Sequence, residues 1–284
     1  MMQGKKLMPS CALLLVLILC LTMGVAQAED DDYSLLELDL EVSYDDVPWD
    51  FPIDLYDMNP AFIRLANKQM LLEKGYVTEP LVTLKARKEN SNGTTNGGVR
   101  KASSAEMQLQ EECAKALVQM CEDAEQQGIR LYLKSAYRSW QTQNTMYYNR
   151  LKKYGYDDGW VSMPGASDHQ TALGCDVVSY EWRDRGMNEQ FAETEEAQWM
   201  AAHCAEYGFI LRYPEDKVDV TEINYEPWHL RYVGNPVATY IMDNGLCLEE
   251  FHEQLAAAIE DFLAAGGRAS LVEDFIWESA ESAY

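Results

Sequence analysis

The sequence predicts an α+β fold in which a small antiparallel β-sheet is flanked by helices. Three observations carry this expectation. Apolar stripes at helical spacing mix with short alternating or aromatic runs of strand character. The two kinds follow no β-α-β rhythm, and no glycine-rich phosphate loop appears. The 284 residues suffice for a real core in one large domain or two small ones.

Taken in order, residues 1–28 read as a secretory signal. Lys5 and Lys6 give a positive start, residues 11–25 are almost unbrokenly apolar, and Ala26-Gln27-Ala28 offers a cleavage site. The run is short for a membrane span; an uncleaved anchor is the alternative and the one expected membrane contact. Residues 29–58 read as an acidic linker or arm. From Asn59 the character changes. Phe62, Leu65, Ala66, Met70 and Leu71 predict a helix over 61–74. Residues 76–84 read as extended, with Pro80 barring a helix, and 88–101 as a polar loop. A long helix is expected over 105–127, capped by Ser103 or Ser104 and ended by Gly128, with Leu109, Cys113, Leu117, Met120, Cys121 and Ala124 inward.

Residues 129–134 alternate like a strand that delivers Ser135-Ala136-Tyr137-Arg138-Ser139 to its end. Residues 140–154 read as a helix and 154–164 as a loop. Then 165–176 form a polar loop that carries His169 and drops into a buried strand, with Asp176 near its start. A carboxylate there is costly to bury without a partner. A helix over 194–207 ends at Gly208, a short strand covers 209–213, and 216–224 read as a polar loop. Residues 226–234 are an aromatic strand pattern. Residues 236–244 and 248–263 are helical, and an acidic tail follows from Ala265.

The charge is far from balance, at −24. So acidic a surface repels nucleic acid and anionic lipid, which removes both as partners. Of seven cysteines, five follow residue 28: Cys113, Cys121, Cys175, Cys204 and Cys247. An odd, scattered set with no C-x-x-C is no disulfide framework.

The chain has four histidines. His203 and His252 sit on helices as surface or core-edge residues. His169 and His229 sit in polar-aromatic loop-to-strand contexts. A catalytic zinc site needs three nitrogen or oxygen ligands and an open position, and His169, Asp176 and His229 supply that set. Cys175 competes, but its side chain leaves the strand on the face opposite Asp176. Hydrolysis also needs a base. Glu226 lies three residues before His229, and Pro227 holds the chain between them extended. The plainer reading of Glu226 is an ion pair with Arg231 or Arg212. Arg138 can grip a carboxylate with two hydrogen bonds or support an oxyanion; its plainer reading is a structural ion pair.

Three motifs carry a resemblance: Ser-Ala-Tyr-Arg-Ser with Gln143 five beyond the arginine, Pro-Gly-Ala-Ser-Asp-His with Asp176 seven beyond the histidine, and Glu-Pro-Trp-His-Leu-Arg-Tyr-Val-Gly. In order and spacing the chain resembles the VanY-type D-alanyl-D-alanine carboxypeptidases, zinc peptidases of the hedgehog/DD-peptidase fold. The resemblance implies one zinc ion on His169, Asp176 and His229, with Glu226 as base. It implies Arg138, Gln143 and Ser167 facing a peptidoglycan stem peptide, with Arg138 also serving catalysis. It covers a peptidase domain over residues 59–252, leaving 253–284 as a C-terminal helix and tail. Where the family commonly has Glu, Gly and Ala, this chain has Asp168, Ala172 and Gly174. An L,D-carboxypeptidase or endopeptidase would use the same metal centre. A silent wall-binding module would not need Glu226. The expectation is an extracytoplasmic, envelope-associated or secreted monomer.

Overall fold

A computed structural model describes residues 47–88 and 95–280. The signal segment and the first part of the acidic arm lie outside them. Among the described residues there are seven short strands: β1 Leu81–Thr83, β2 Arg100–Lys101, β3 Gln108–Gln110, β4 Tyr132–Ser135, β5 Gly174–Val178, β6 Phe209–Leu211 and β7 His229–Tyr232. The first and third form a two-stranded antiparallel ribbon. The others form one sheet in the order β2-β4-β5-β7-β6, antiparallel apart from the β2–β4 pair. The α+β expectation therefore holds.

β5 is the middle strand of this sheet and is buried along its whole length. Its register decides the site. Asp176 stands opposite His229 on one side and opposite Ser135 on the other. Between neighbouring strands, directly opposite side chains are close enough to interact. Two of the three candidate ligands are thus brought together by strand pairing alone.

Helix α1, Glu111–Gln126, buries Cys113, Ala114, Leu117, Met120, Cys121 and Ala124 against the sheet. It starts later than its stripe suggests. Residues 108–110 pair with β1, and the Gln110 side chain caps the helix by accepting from the amides of Glu112 and Cys113. Helix α2, Trp140–Tyr154, has its expected bounds. Ser139 accepts from the Thr142 amide at one end, and left-handed Gly155 (φ 85°) closes the other. The segment read as one helix over 194–207 is α3, Glu195–His203, followed by a 3₁₀ turn, Cys204–Tyr207. The loop expected over 216–224 contains the short helix α4, Val218–Thr221. Helices α5, Val237–Asp243, and α6, Leu248–Ala264, follow, with two 3₁₀ turns after them, Ala269–Leu271 and Glu273–Phe275. The five cysteines among the described residues are buried and free, and burial pushes the thiols of Cys121 and Cys204 up to about 12.

Two expectations fail, each for a long-range reason. Residues 61–74 are not helical. Their carbonyls have partners elsewhere. Those of Phe62 and Arg64 accept from Arg231 Nη2 (2.9 and 2.7 Å), and that of Ile63 faces His252 Nε2 at 2.5 Å. The Asn67 side chain accepts from the amides of Gln69 and Met70, the kind of turn that competes with a helix.

The flanks are also not an arm and a tail over their described parts. Ile53 and Met58 from one, and Val272 and Phe275 from the other, are buried in a second core with Phe251, Leu255 and Phe262 of α6. The boundary expected at residue 252 falls inside α6. Residues 278–280 also bond to the segment at 64–71: Arg64 Nη2 donates to Glu278 O, Leu71 N to Ser279 Oγ, and Ala280 N to Leu71 O.

Candidate metal centre

His169, Asp176 and His229 converge. One ligand atom from each lies within 4.8 Å of the others, and all three residues are buried. His169 arrives on a 3₁₀ turn, Asp168–Thr171. That turn closes through Ala172, at φ 62° in the left-handed region. Gly174 then lets the strand pass the turn. A Cβ there would sit 2.9 Å from the backbone carbon and Cβ of Asp168. The small residues between the ligands therefore serve close approach of the turn to the strand.

The protonation pattern suits a cation. His169 Nδ1 lies 2.7 Å from the Ala136 carbonyl, which can only accept, so Nδ1 carries the proton. Nε2 then turns a lone pair toward Asp176 Oδ2 at 3.4 Å. Two electron-rich atoms face each other, an arrangement relieved by a positive ion between them. Donation of the remote ring nitrogen to a backbone carbonyl is the usual support of a metal-binding histidine. His229 Nδ1 lies 2.9 Å from Asp176 Oδ1, while its buried Nε2 has no hydrogen-bond partner among the described residues. The two imidazole rings meet edge to face, centroids 4.9 Å apart.

Burial, then Arg138, push His169 down, keeping the imidazole neutral. Glu226 behaves oppositely. Burial, then the Asp176 carboxylate, push it well above the ordinary value, with Arg138 opposing. Its Oε2 lies 3.7 Å from His229 Nδ1. A carboxyl with raised affinity for protons beside a cluster of ligands can take up and return a proton.

Arg138 reaches the same space with two neutral anchors. Nη1 donates to Gln143 Oε1 at 2.7 Å and Nη2 to Ser135 Oγ at 3.2 Å. Its backbone amide donates to the His169 carbonyl at 3.0 Å. Both ends of the Gln143 amide are engaged, since Nε2 donates to Ser162 O at 2.6 Å. Ser167 is buried directly before the turn. The sequence-derived residues thus share one region. His203 pairs with Glu206, and His252 packs against Trp277.

The plainer reading of Glu226 fails because both arginines are taken. Asp168 lies 2.7 Å from Arg212 Nε and also binds Arg231 Nη1. Arg212 closes a two-pronged bond on Glu249, at 2.7 and 2.6 Å. Sequence reasoning missed Asp168, Arg212 and Glu249 as a unit. One signal was available: Arg231 lies two residues beyond His229 on β7, and so on the same face as the ligand. Tyr213 was also missed. Its buried ring lies 5.1 Å from the His229 ring, with the Arg212 guanidinium 4.8 Å from its centroid.

Residues 106–235 match the family model VanY, D-alanyl-D-alanine carboxypeptidase. The bifunctional D-Ala-D-Ala dipeptidase and carboxypeptidase VanXYC of Enterococcus gallinarum is 38% identical over 140 residues, covering 48% of this chain and 73% of that protein. YodJ of Bacillus subtilis is 40% identical over 151 residues, 52% of this chain and 54% of YodJ. The chain therefore spans only about half the length of YodJ. Among solved structures, the LdcB LD-carboxypeptidase superposes with a TM-score of 0.60 at 35% identity, over 69% of this chain and 88% of that one. VanY from the VanB-type resistance cassette, solved in complex with Zn(II), gives 0.51 at 28% identity, over 67% and 98%. The chain belongs to the VanY-type D-alanyl-D-alanine carboxypeptidase family.

Proposed function

We propose that the protein is a zinc-dependent carboxypeptidase that removes the terminal D-alanine from D-alanyl-D-alanine-ended peptidoglycan stem peptides. The observation that carries this reading is the lone-pair side of His169 facing Asp176 across from His229, in a chain of this family. One zinc ion on His169, Asp176 and His229 fits these donors, two imidazoles and a carboxylate, and would leave a position open. When bound, it supplies Lewis acidity toward the scissile carbonyl and makes water more acidic.

The chain's own groups do the rest. Glu226 takes a proton from the attacking water as the new carbon–oxygen bond forms. It returns that proton to the amine of the departing D-alanine as the carbon–nitrogen bond breaks. Its raised affinity for protons suits both steps. Arg138 stays cationic and offers donors to the substrate's carboxylate or carbonyl oxygen. Gln143 serves by holding Arg138 in place, both ends of its amide being engaged. Ser167 contacts the substrate beside the ligands. The protein acts as a monomer outside the cytoplasm, delivered by residues 1–28. Among the described residues no helix is long and apolar enough to cross a membrane.

A second reading has its own support. The LdcB LD-carboxypeptidase is more similar in both identity and superposition than the VanY structure. In that reading the same centre would cleave a tetrapeptide's L,D bond. Incubation of the zinc-loaded protein with muramyl pentapeptide and tetrapeptide, followed by mass spectrometry, separates the two. Loss of one D-alanine from the pentapeptide is expected. Loss from the tetrapeptide alone would establish the second reading, and no cleavage of either would overturn both.

A further inference from the structure

Behind the ligand cluster lies a second group of buried charges that the proposed chemistry does not use. Asp168 and Arg231 are wholly buried, as is Arg212, and Glu249 is nearly so. Asp168 sits between two guanidiniums: Arg212 Nε lies 2.7 Å from one oxygen, an ion pair without hydrogen-bond alignment, and Arg231 Nη1 bonds the other. Glu249 on α6 holds Arg212 from the far side with two bonds, and Asn67 Nδ2 donates to the same carboxylate at 3.2 Å. The group is electrically balanced, two arginines against two carboxylates. Burial alone would raise both acids, but the arginines outweigh it and hold them below the ordinary range.

A purely structural role explains this poorly. Burying ions is expensive, and a well-packed apolar substitute of similar volume is often as stable or more so. What the network has instead is position. Asp168 immediately precedes His169. Arg231 stands on the ligand face of β7, two residues past His229. The Arg212 amide donates to the His229 carbonyl at 3.2 Å. Two of the three ligand-bearing segments are therefore fixed by one ion network whose outer end is Glu249.

We infer that Glu249 and Arg212 are positioning residues: through Asp168 they set the geometry, and so the metal affinity, of the His169–Asp176–His229 cluster. The inference rests on the zinc reading above. Outer partners of metal ligands commonly control affinity by roughly ten- to a hundredfold. The test measures zinc affinity of the metal-free, folded protein by competition with a chromophoric chelator, alongside the urea midpoint. Glu249→Gln leaves two buried guanidiniums against one full negative charge, and should weaken zinc binding about tenfold.

The double variant Arg212→Met, Glu249→Leu separates position from stability. It replaces the ion pair by apolar volume, so its urea midpoint should stay near that of the parent. Its zinc affinity should still fall about tenfold, because Asp168 has lost one of its two anchors. Restored zinc affinity in the double variant, or unchanged affinity in both variants, overturns the inference. Should Glu249→Gln fail to fold, the double variant decides alone. A parent protein that binds no zinc would instead overturn the zinc reading itself.

Discussion

Two clusters of buried charge meet at the segment 168–176 and strand β7, and they are built on opposite terms. The network of Asp168, Arg212, Arg231 and Glu249 is balanced, and its carboxylates hold their protons weakly. The cluster of Asp176, Glu226 and Arg138 would carry an excess of negative charge with both carboxylates ionised. Burial and the Asp176 carboxylate therefore make Glu226 hold its proton tightly. Burial is common to both, so burial does not mark the site. What separates them is whether the charges balance one another. Balanced, they position; unbalanced, they are ready for a cation and a proton.

The sharpest way to break this comparison is to neutralise one carboxylate in each cluster. Glu226→Gln should retain zinc and lower turnover by about a hundred- to ten-thousandfold, the span of a lost acid–base group. It should also stabilise the metal-free protein at pH 7. An unfolded glutamate titrates near 4.3, and the folded carboxyl titrates well above that. Across that window the folded state binds the extra proton, so stability falls as pH rises through it. Glutamine is spared that cost. Glu249→Gln should move the urea midpoint the other way. Glu249 titrates below its unfolded value, so its contribution is present above about pH 4 and is lost as the pH falls through the folded value. Midpoints that shift in the same direction in both variants would erase the distinction.

A smaller effect is expected at the seam between the clusters. Gly174→Ala places a methyl 2.9 Å from Asp168. The turn must move, and overpacking of this kind costs about 1–3 kcal/mol. Because Asp168 carries the arginine contacts and His169 follows it, zinc affinity should fall together with thermal stability. A loss of stability with zinc affinity intact would show that the turn is not shared between the two clusters.

How much of this was readable in advance depended on distance along the chain. Helix α2 was legible to the residue because its signals are local: Ser139 before it and Gly155 after it. The convergence of His169, Asp176 and His229 was legible because few side chains can do that chemistry, and histidine is scarce here. Residues 61–74 were not, since their helical spacing is overruled by Arg231, some 170 residues away, which takes the carbonyls of Phe62 and Arg64. The balanced network stayed hidden for the same reason. Asp168, Arg212, Arg231 and Glu249 have no shared motif, and no spacing announces that they meet. Gln143 shows a subtler limit. Its place in a motif was plain, but only the structure reveals that both ends of its amide are engaged.

The weakest predicted effect tests whether remote contacts merely stabilise. Ser279 accepts from the Leu71 amide at 3.0 Å, and the neighbouring Leu72 amide donates to Gly165 O at 2.8 Å at the start of the metal loop. The C-terminal segment thus touches the loop through one intermediate strip of chain. The contact is neutral and partly exposed, unlike the ion network. Ser279→Ala should lower stability by about 1 kcal/mol, the usual worth of one hydrogen bond. It should leave zinc affinity and turnover alone, because no charge faces the ligands along this route. A tenfold fall in zinc affinity in Ser279→Ala would mean that any contact on the outer strip tunes the centre. Glu249 and Arg212 would then have no special standing, and the contrast between balanced and unbalanced charge would lose its explanatory force.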